Sequence, residues 1–162
     1  MTARAAVAYT GPVPSLVRAW KERALRRVAE LAVQLVADTL EQPAADVITY
    51  IPGDPGRQLT RAAHPAAALA RGLGERWSVP SERVLRRTRR VPRQTGLPVA
   101  ERRRNVRGVF EADAGAFRGT PARVVLVDDV YTTGATVSSA AGALLRAGAA
   151  EVRVVTFARA LR

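Results

Sequence analysis
The chain has 162 residues, 48% hydrophobic and 25% charged, which suits a single domain over 1–162 with a sizeable core. It has no cysteine, which excludes disulfides and thiolate metal sites. The net charge is +12, and ten arginines with a single acid, Glu101, lie between Arg83 and Arg107, a clustering that points to an anionic partner.

No element is assigned before Pro14. From Pro14 to about Leu40 the spacing of Val17, Trp20, Ala24, Val28, Leu31 and Leu35 predicts one amphipathic helix. Arg18, Lys21, Glu22, Arg26 and Glu30 fall on its outward face, and Pro43 helps to stop it. Asp46 to Ile51 reads as a short buried strand, and Pro52-Gly53-Asp54-Pro55-Gly56 forces a loop. A second helix is predicted from Pro65 to Trp77, and a short strand from Arg83 to Arg86. Residues 87–107 show no convincing period and read as an extended arm or mobile loop, and Val109 to Phe117 as a hairpin around Gly115. Arg123 to Val127 is a buried strand, Gly134 to Arg146 a helix of small residues with Gly148 at its C-terminal cap, and Val152 to Phe157 a further strand. The strand, loop, helix and strand between 123 and 157 form a βαβ unit, which implies a mostly parallel sheet. In such sheets ligands sit beyond the carboxyl ends of the strands, where the loops after Ile51 and Val127 both lie.

The second of these loops carries the chemistry. Asp128 and Asp129 are followed by Val130, Tyr131, Thr132, Thr133, Gly134, Ala135 and Thr136 at a helix start. Free N–H groups at a helix N-terminus suit a phosphate, and the threonine hydroxyls add donors. Gly134 allows close backbone approach or a positive φ. Carboxylates repel phosphate, so Asp128 and Asp129 suit sugar hydroxyls or outer-sphere contact with a Mg²⁺ carried by the ligand's oxygens. The pattern therefore predicts a combined sugar and phosphate site. Neither G-x-G-x-x-G nor G-x-x-x-x-G-K-[ST] occurs, which excludes the Rossmann and P-loop signatures.

The run from Val124 to Thr136 resembles the ribose-phosphate motif of type I phosphoribosyltransferases. Arg86-Arg87-Thr88, Gln94-Thr95-Gly96-Leu97, Glu101 to Val106 and Gly108-Val109-Phe110 resemble the R-T-x-x-Q-x-x-L…R-x-x-N-V-x-G-x-F stretch of the ComF and amidophosphoribosyltransferase-like family. Val154 to Arg159 resembles that family's end. The resemblance implies an α/β type I phosphoribosyltransferase fold with a small hood or lid. It implies a pentosyl-class glycosyltransferase of nucleotide metabolism that binds 5-phosphoribosyl-1-pyrophosphate with Mg. It assigns the ribose hydroxyls to Asp128 and Asp129, which also count as catalytic, and the 5′-phosphate to the segment from Thr132 to Thr136, with Val130 and Tyr131 among the substrate-binding residues. The pyrophosphate loop would fall on Pro52, Gly53, Asp54 and Arg57. The Arg-rich segment becomes the lid, with Arg102 as a catalytic group and Arg104 as a ligand contact. No protein side chain would ligate the metal directly. Three departures stand out: no cysteine zinc ribbon is present, Arg61-Ala62-Ala63-His64-Pro65 replaces R-G-F-N-Q, and Thr132 stands where purine-salvage relatives often carry an acid.

Several readings stay open. Arg102 to Arg104 suit departing pyrophosphate, a nucleic-acid backbone, or solvent. The resemblance brings a second function with it: a non-catalytic competence or DNA-uptake module that senses ligand or binds single-stranded DNA through Arg83 to Arg107. His64, the only histidine, reads as a helix-start residue, and Trp20 and Trp77 as packing. A cytoplasmic location without a membrane span is expected, and a homodimer is a possible assembly because related folds often dimerise.

Overall fold
A computed structural model describes residues 1–54, 64–88, 108–113, 116–117 and 122–161. The predicted Arg57, Arg102 and Arg104 contacts, and the lid beyond Thr88, lie outside these residues.

Four parallel strands form the central sheet in the order β1-β6-β5-β2. They are β1 (Thr2–Ala8), β2 (Val47–Tyr50), β5 (Arg123–Tyr131) and β6 (Glu151–Arg159). Helices α1 (Val13–Arg23), α2 (Arg26–Thr39) and α3 (Pro65–Trp77) cover one face, packing Val17, Trp20, Ala32, Val36, Leu69 and Leu73 against Val125, Val127, Val155 and Phe157. Helix α4 (Ala135–Arg146) covers the other, with Val137, Ala140 and Leu144 against Val124, Leu126, Val152 and Val154. The expected α/β architecture is thus observed.

Two short strands, β3 (Leu85–Arg87) and β4 (Phe110–Ala112), form a separate antiparallel pair. The predicted hairpin over 109–117 is corrected here: β4 pairs with β3, matching Arg87 to Phe110 and Leu85 to Ala112, rather than with the residues after it. Asp113 N donates to Val84 O, and Thr88 N to Val109 O, both at 2.9 Å. Thr88 and Gly108, the two ends of the Arg-rich segment, are therefore held together, and the Thr88 hydroxyl donates to Gly108 O at 2.9 Å.

The single helix predicted from Pro14 to Leu40 is two helices. Ala24 takes a left-handed conformation (φ 49°, ψ 38°) and caps α1 by donating its N–H to Trp20 O at 3.2 Å. The break turns α2 about its axis, so Val28, Ala32 and Val36 are buried while Leu31, predicted to face the core, is exposed. Strand β1 was not predicted. Its alanine-rich sequence has little strand propensity, and its conformation comes from pairing with β6, Thr2 to Arg153 through Ala8 to Arg159. Strand β5 also runs further than expected, through Tyr131, because pairing with β6 continues past Asp128–Thr156 to Tyr131–Arg159. The two aspartates are strand residues, not loop residues. Among the described residues no helix is long and apolar enough to cross a membrane.

Candidate functional site
Strands β2 and β5 are neighbours, yet the helices that follow them, α3 and α4, pack on opposite faces of the sheet. This reversal opens a crevice beyond their carboxyl ends, the position where open α/β sheets hold ligands. Ile51 N donates to Val127 O at 3.0 Å, so Pro52 leaves the sheet directly beside Asp128. The described start of the loop predicted after Ile51, Pro52 to Asp54, and the segment from Asp128 to Thr136 both lie at this end of the sheet.

Asp128 is half-buried, its carboxyl set toward the protein side, and accepts the Asp129 backbone N–H on Oδ1 at 2.9 Å. Burial, then the adjacent Asp129 carboxylate, push its carboxyl well above the usual carboxylate range. Asp129 forms an ion pair with Lys21 of α1. Its Oδ2 accepts no hydrogen bond from any other described group. This corrects the outward position predicted for Lys21: the break at Ala24 ends α1 just after the turn that carries Lys21 over the end of β5. The signal for this residue was compositional, since it is the only lysine in the chain.

Beyond Tyr131 the backbone turns through Thr132 and Thr133 into α4. Gly134 is the N-cap with φ 74° and ψ −2°, and no side chain caps the helix from that position. A Cβ at Gly134 would run into the Tyr131 hydroxyl and come within 2.8 Å of its Cζ, so glycine is required both by conformation and by space. Thr132 is exposed and Thr133 and Thr136 are half-buried; Ala135 N donates to Thr133 Oγ1 at 3.5 Å, and the threonines flank the N-terminus of α4, a position that suits an anion. Arg159 lies over the Tyr131 ring at 5.0 Å, holding the ring against the end of the sheet.

On the β2 side, Tyr50, Pro52, Gly53, His64, Arg83, Arg86 and Arg87 line a cavity of about 100 Å³. Gly53 N donates to His64 Nε2 at 2.7 Å, while Ala67 N approaches His64 Nδ1 at 3.2 Å at the start of α3. A neutral imidazole has one accepting nitrogen, so these two N–H groups compete for it. Asp54 pairs with Arg87 at 3.5 Å, both side chains largely buried, which ties the β2 loop to β3. His64 is therefore more than a helix start: it grips the loop after β2. Sequence reasoning missed this contact because its partner is a backbone N–H eleven residues away.

A family model for the phosphoribosyl transferase domain matches residues 59–162. The chain belongs to the phosphoribosyltransferase family. Within that family it is of the ComF type. It is 30% identical to competence protein F of Haemophilus influenzae over 142 residues, covering 87% of this chain and 62% of that protein. It is 31% identical to the DNA utilization protein YhgH of Salmonella typhi over 167 residues, covering 94% of this chain and 70% of that protein. It therefore spans somewhat under two thirds of the length of the first relative. Among solved structures, this chain superposes on the Bacillus subtilis glutamine phosphoribosylpyrophosphate amidotransferase, complexed with ADP and GMP. The TM-score is 0.53 at 29% identity, over 79% of this chain and 25% of that one. It also superposes on the adenine phosphoribosyltransferase of Thermoanaerobacter pseudethanolicus, with a TM-score of 0.54 at 14% identity, over 85% of this chain and 83% of that one, a likeness of fold.

Proposed function
We propose that this domain binds 5-phosphoribosyl-1-pyrophosphate and transfers the phosphoribosyl group to a nitrogenous acceptor. The observation that carries the reading is the meeting of the two loops at one crevice: a carboxylate pair with a phosphate cup on β5, and a basic cavity on β2. In this reading the 5′-phosphate lies in the cup from Thr132 to Thr136. Val130, Tyr131 and Ala135 shape the cup, and the ribose hydroxyls face Asp128 and Asp129. Pyrophosphate lies toward Pro52, Gly53 and the arginines of β3. No cluster of three or more His, Asp or Glu side chains that would cage a metal occurs among the described residues. The carboxylate pair suits a Mg²⁺ carried by the ligand's oxygens, with Asp128 and Asp129 nearby, and when bound that ion would neutralise charge on the departing pyrophosphate.

Catalysis here is a matter of placement and charge. The phosphate cup and the carboxylates fix the sugar with C1 toward the acceptor. Fixed donors and guanidinium groups on the β2 side stabilise the negative charge that gathers on pyrophosphate as the bond to C1 breaks. Arg102 and Arg104 belong to the lid in this reading. Calorimetry with phosphoribosyl pyrophosphate and Mg²⁺ tests it: wild type binds, and the pair Asp128→Asn/Asp129→Asn loses at least tenfold in affinity. Equal affinities overturn the reading. Pyrophosphate release across a panel of nitrogenous acceptors then tests turnover.

The names of the relatives favour a second reading, a DNA-handling module that uses the same fold without turnover. Arg83 and Arg86 are exposed at the base of the Arg-rich segment. Binding to single-stranded DNA that weakens steeply with salt, and is lost when Arg102 to Arg104 become alanine, would favour it. Salt-independent or absent binding would exclude it.

A further inference from the structure
Lys21 is set apart on three counts. It is the only lysine in a chain with 26 lysine and arginine residues in total. It is drawn inward on a helix whose other charged side chains, Arg18, Glu22 and Arg23, are exposed or pair with each other at the surface. And its partner is Asp129, one of the two carboxylates at the mouth of the candidate sugar site.

The helix that carries it is fixed firmly. Trp20, the preceding residue, is 1% exposed and meets Phe157 of β6 edge to face at 6.3 Å between ring centres. Val17, one turn back, is equally buried. Tyr9 N donates to Arg159 O at 2.7 Å, which pins the chain before α1 to the same end of the sheet. Lys21 therefore does not reach Asp129 by chance of a long side chain. The turn that bears it is docked on β6, next to β5. The side chains of Lys21 and Asp129 are 24% and 14% exposed, so the pair sits at the lip of the crevice rather than in the core. On its other side Lys21 lines an open cleft of about 510 Å³ with Tyr9, Ser15 and Val17.

Two carboxylates side by side repel each other, and each alone is free to choose among rotamers. An ammonium against one of them removes both problems: it offsets the charge and fixes the acceptor oxygens. Arginine would spread the same charge over a wide planar fork, whereas lysine places it at a point. We propose that Lys21 is a positioning residue for the sugar site: docked on α1, it holds the Asp129 carboxylate in the orientation that accepts ribose hydroxyls. The inference rests on the sugar-phosphate reading of the crevice. It adds that the N-terminal helix, outside the matched family region, completes the site.

Ribose 5-phosphate and inorganic phosphate separate this role from a merely structural one, because only the first presents hydroxyls to Asp129 while both use the cup at Thr132 to Thr136. By calorimetry, Lys21→Gln is expected to lose at least tenfold in affinity for ribose 5-phosphate and to stay within about twofold of wild type for inorganic phosphate. Lys21→Arg is expected to recover part of the loss. In a Lys21→Gln background, Asp129→Asn adds little further loss, since the carboxylate is already misplaced. Equal affinity of wild type and Lys21→Gln for ribose 5-phosphate overturns the proposal, and so does parallel loss for both ligands. Should Lys21→Gln fail to fold, the comparison of Lys21→Arg with Asp129→Asn carries the test: unchanged ribose 5-phosphate affinity in both overturns it. Wild type that binds phosphate but not ribose 5-phosphate removes the sugar reading itself, an outcome visible before any variant is made.

Discussion

A carboxyl whose hold on its proton is strengthened by burial and a neighbouring like charge, as at Asp128, weakens the folded state as pH rises past the point where the unfolded chain ionises. The native protein keeps a proton there that the unfolded chain releases above its ordinary value of about 3.9, so this group's effect on stability worsens as pH rises. Asp128→Asn is neutral at every pH. It should melt higher than wild type at pH 8 by a margin that shrinks toward pH 4, while losing affinity for ribose 5-phosphate. Thermal melts at the two pH values check the first expectation, and calorimetry the second. A melting advantage independent of pH would contradict the assignment. Gly134 makes the opposite trade. Gly134→Ala forces a side chain into the left-handed region and against Tyr131, and should destabilise by about 1–2 kcal/mol in denaturant titration. It should also abolish phosphate binding, because the cup must open to admit the methyl. Both residues were visible in the sequence through their place in one motif. Lys21 was not, since a helix period cannot show that a charged side chain at its edge meets a strand over a hundred residues later.

The elements that could be read from sequence are those whose ends carry chemical punctuation. Helix α3 begins at Pro65 behind the capping His64 and ends at Trp77, as predicted, because proline suits the first helical turn and loses nothing there. The break between α1 and α2 has no such mark. Ala24 is the best of helix formers, so nothing in the local sequence announces the left-handed residue that ends α1 there. That gives a discriminating test. In an unbroken helix Ala24→Gly would cost about 1 kcal/mol; at a left-handed alanine it should instead be neutral or stabilise by up to about 1 kcal/mol. Denaturant unfolding of the single variant decides between the two. Strand β1 lacks punctuation too, and its alanines take strand geometry only because β6 offers an edge. The β5 half of the candidate site was legible as one motif because strand, carboxylates and glycine turn are contiguous in sequence. The β2 side was legible only as a loop, since His64, Arg83 and Arg87 join Gly53 through space.

Across the whole molecule, one ion pair clamps the amino ends of the two strands that bear the site. Asp46, just before β2, accepts from Arg123 of β5 three times, from the backbone N at 2.8 Å, Nε at 3.1 Å and Nη2 at 2.7 Å. The side-chain hydrogen bonds of Arg123, then its backbone N–H, lower the Asp46 carboxyl to about 2. A depressed carboxyl contributes stability that is present above its unfolded value and is lost as pH falls through the folded one. Asp46→Asn should therefore melt slightly below wild type at pH 7, and the gap should close between about pH 4 and about pH 2. Half-exposed as the pair is, high salt should narrow the gap as well. A gap that persists at pH 2 would assign the effect to something other than this charge. The sheet order has a consequence for how the protein is made. Among the described residues β1 pairs only with β6, and Trp20 closes on Phe157, so β1 and α1 leave the ribosome long before these partners exist. Until residues 151–159 are synthesised, the N-terminal segment has an open strand edge and an indole with nowhere to dock. Assembly of this edge waits until β6 is made, and a chain stalled before β6 would present that edge and ring to chaperones and proteases.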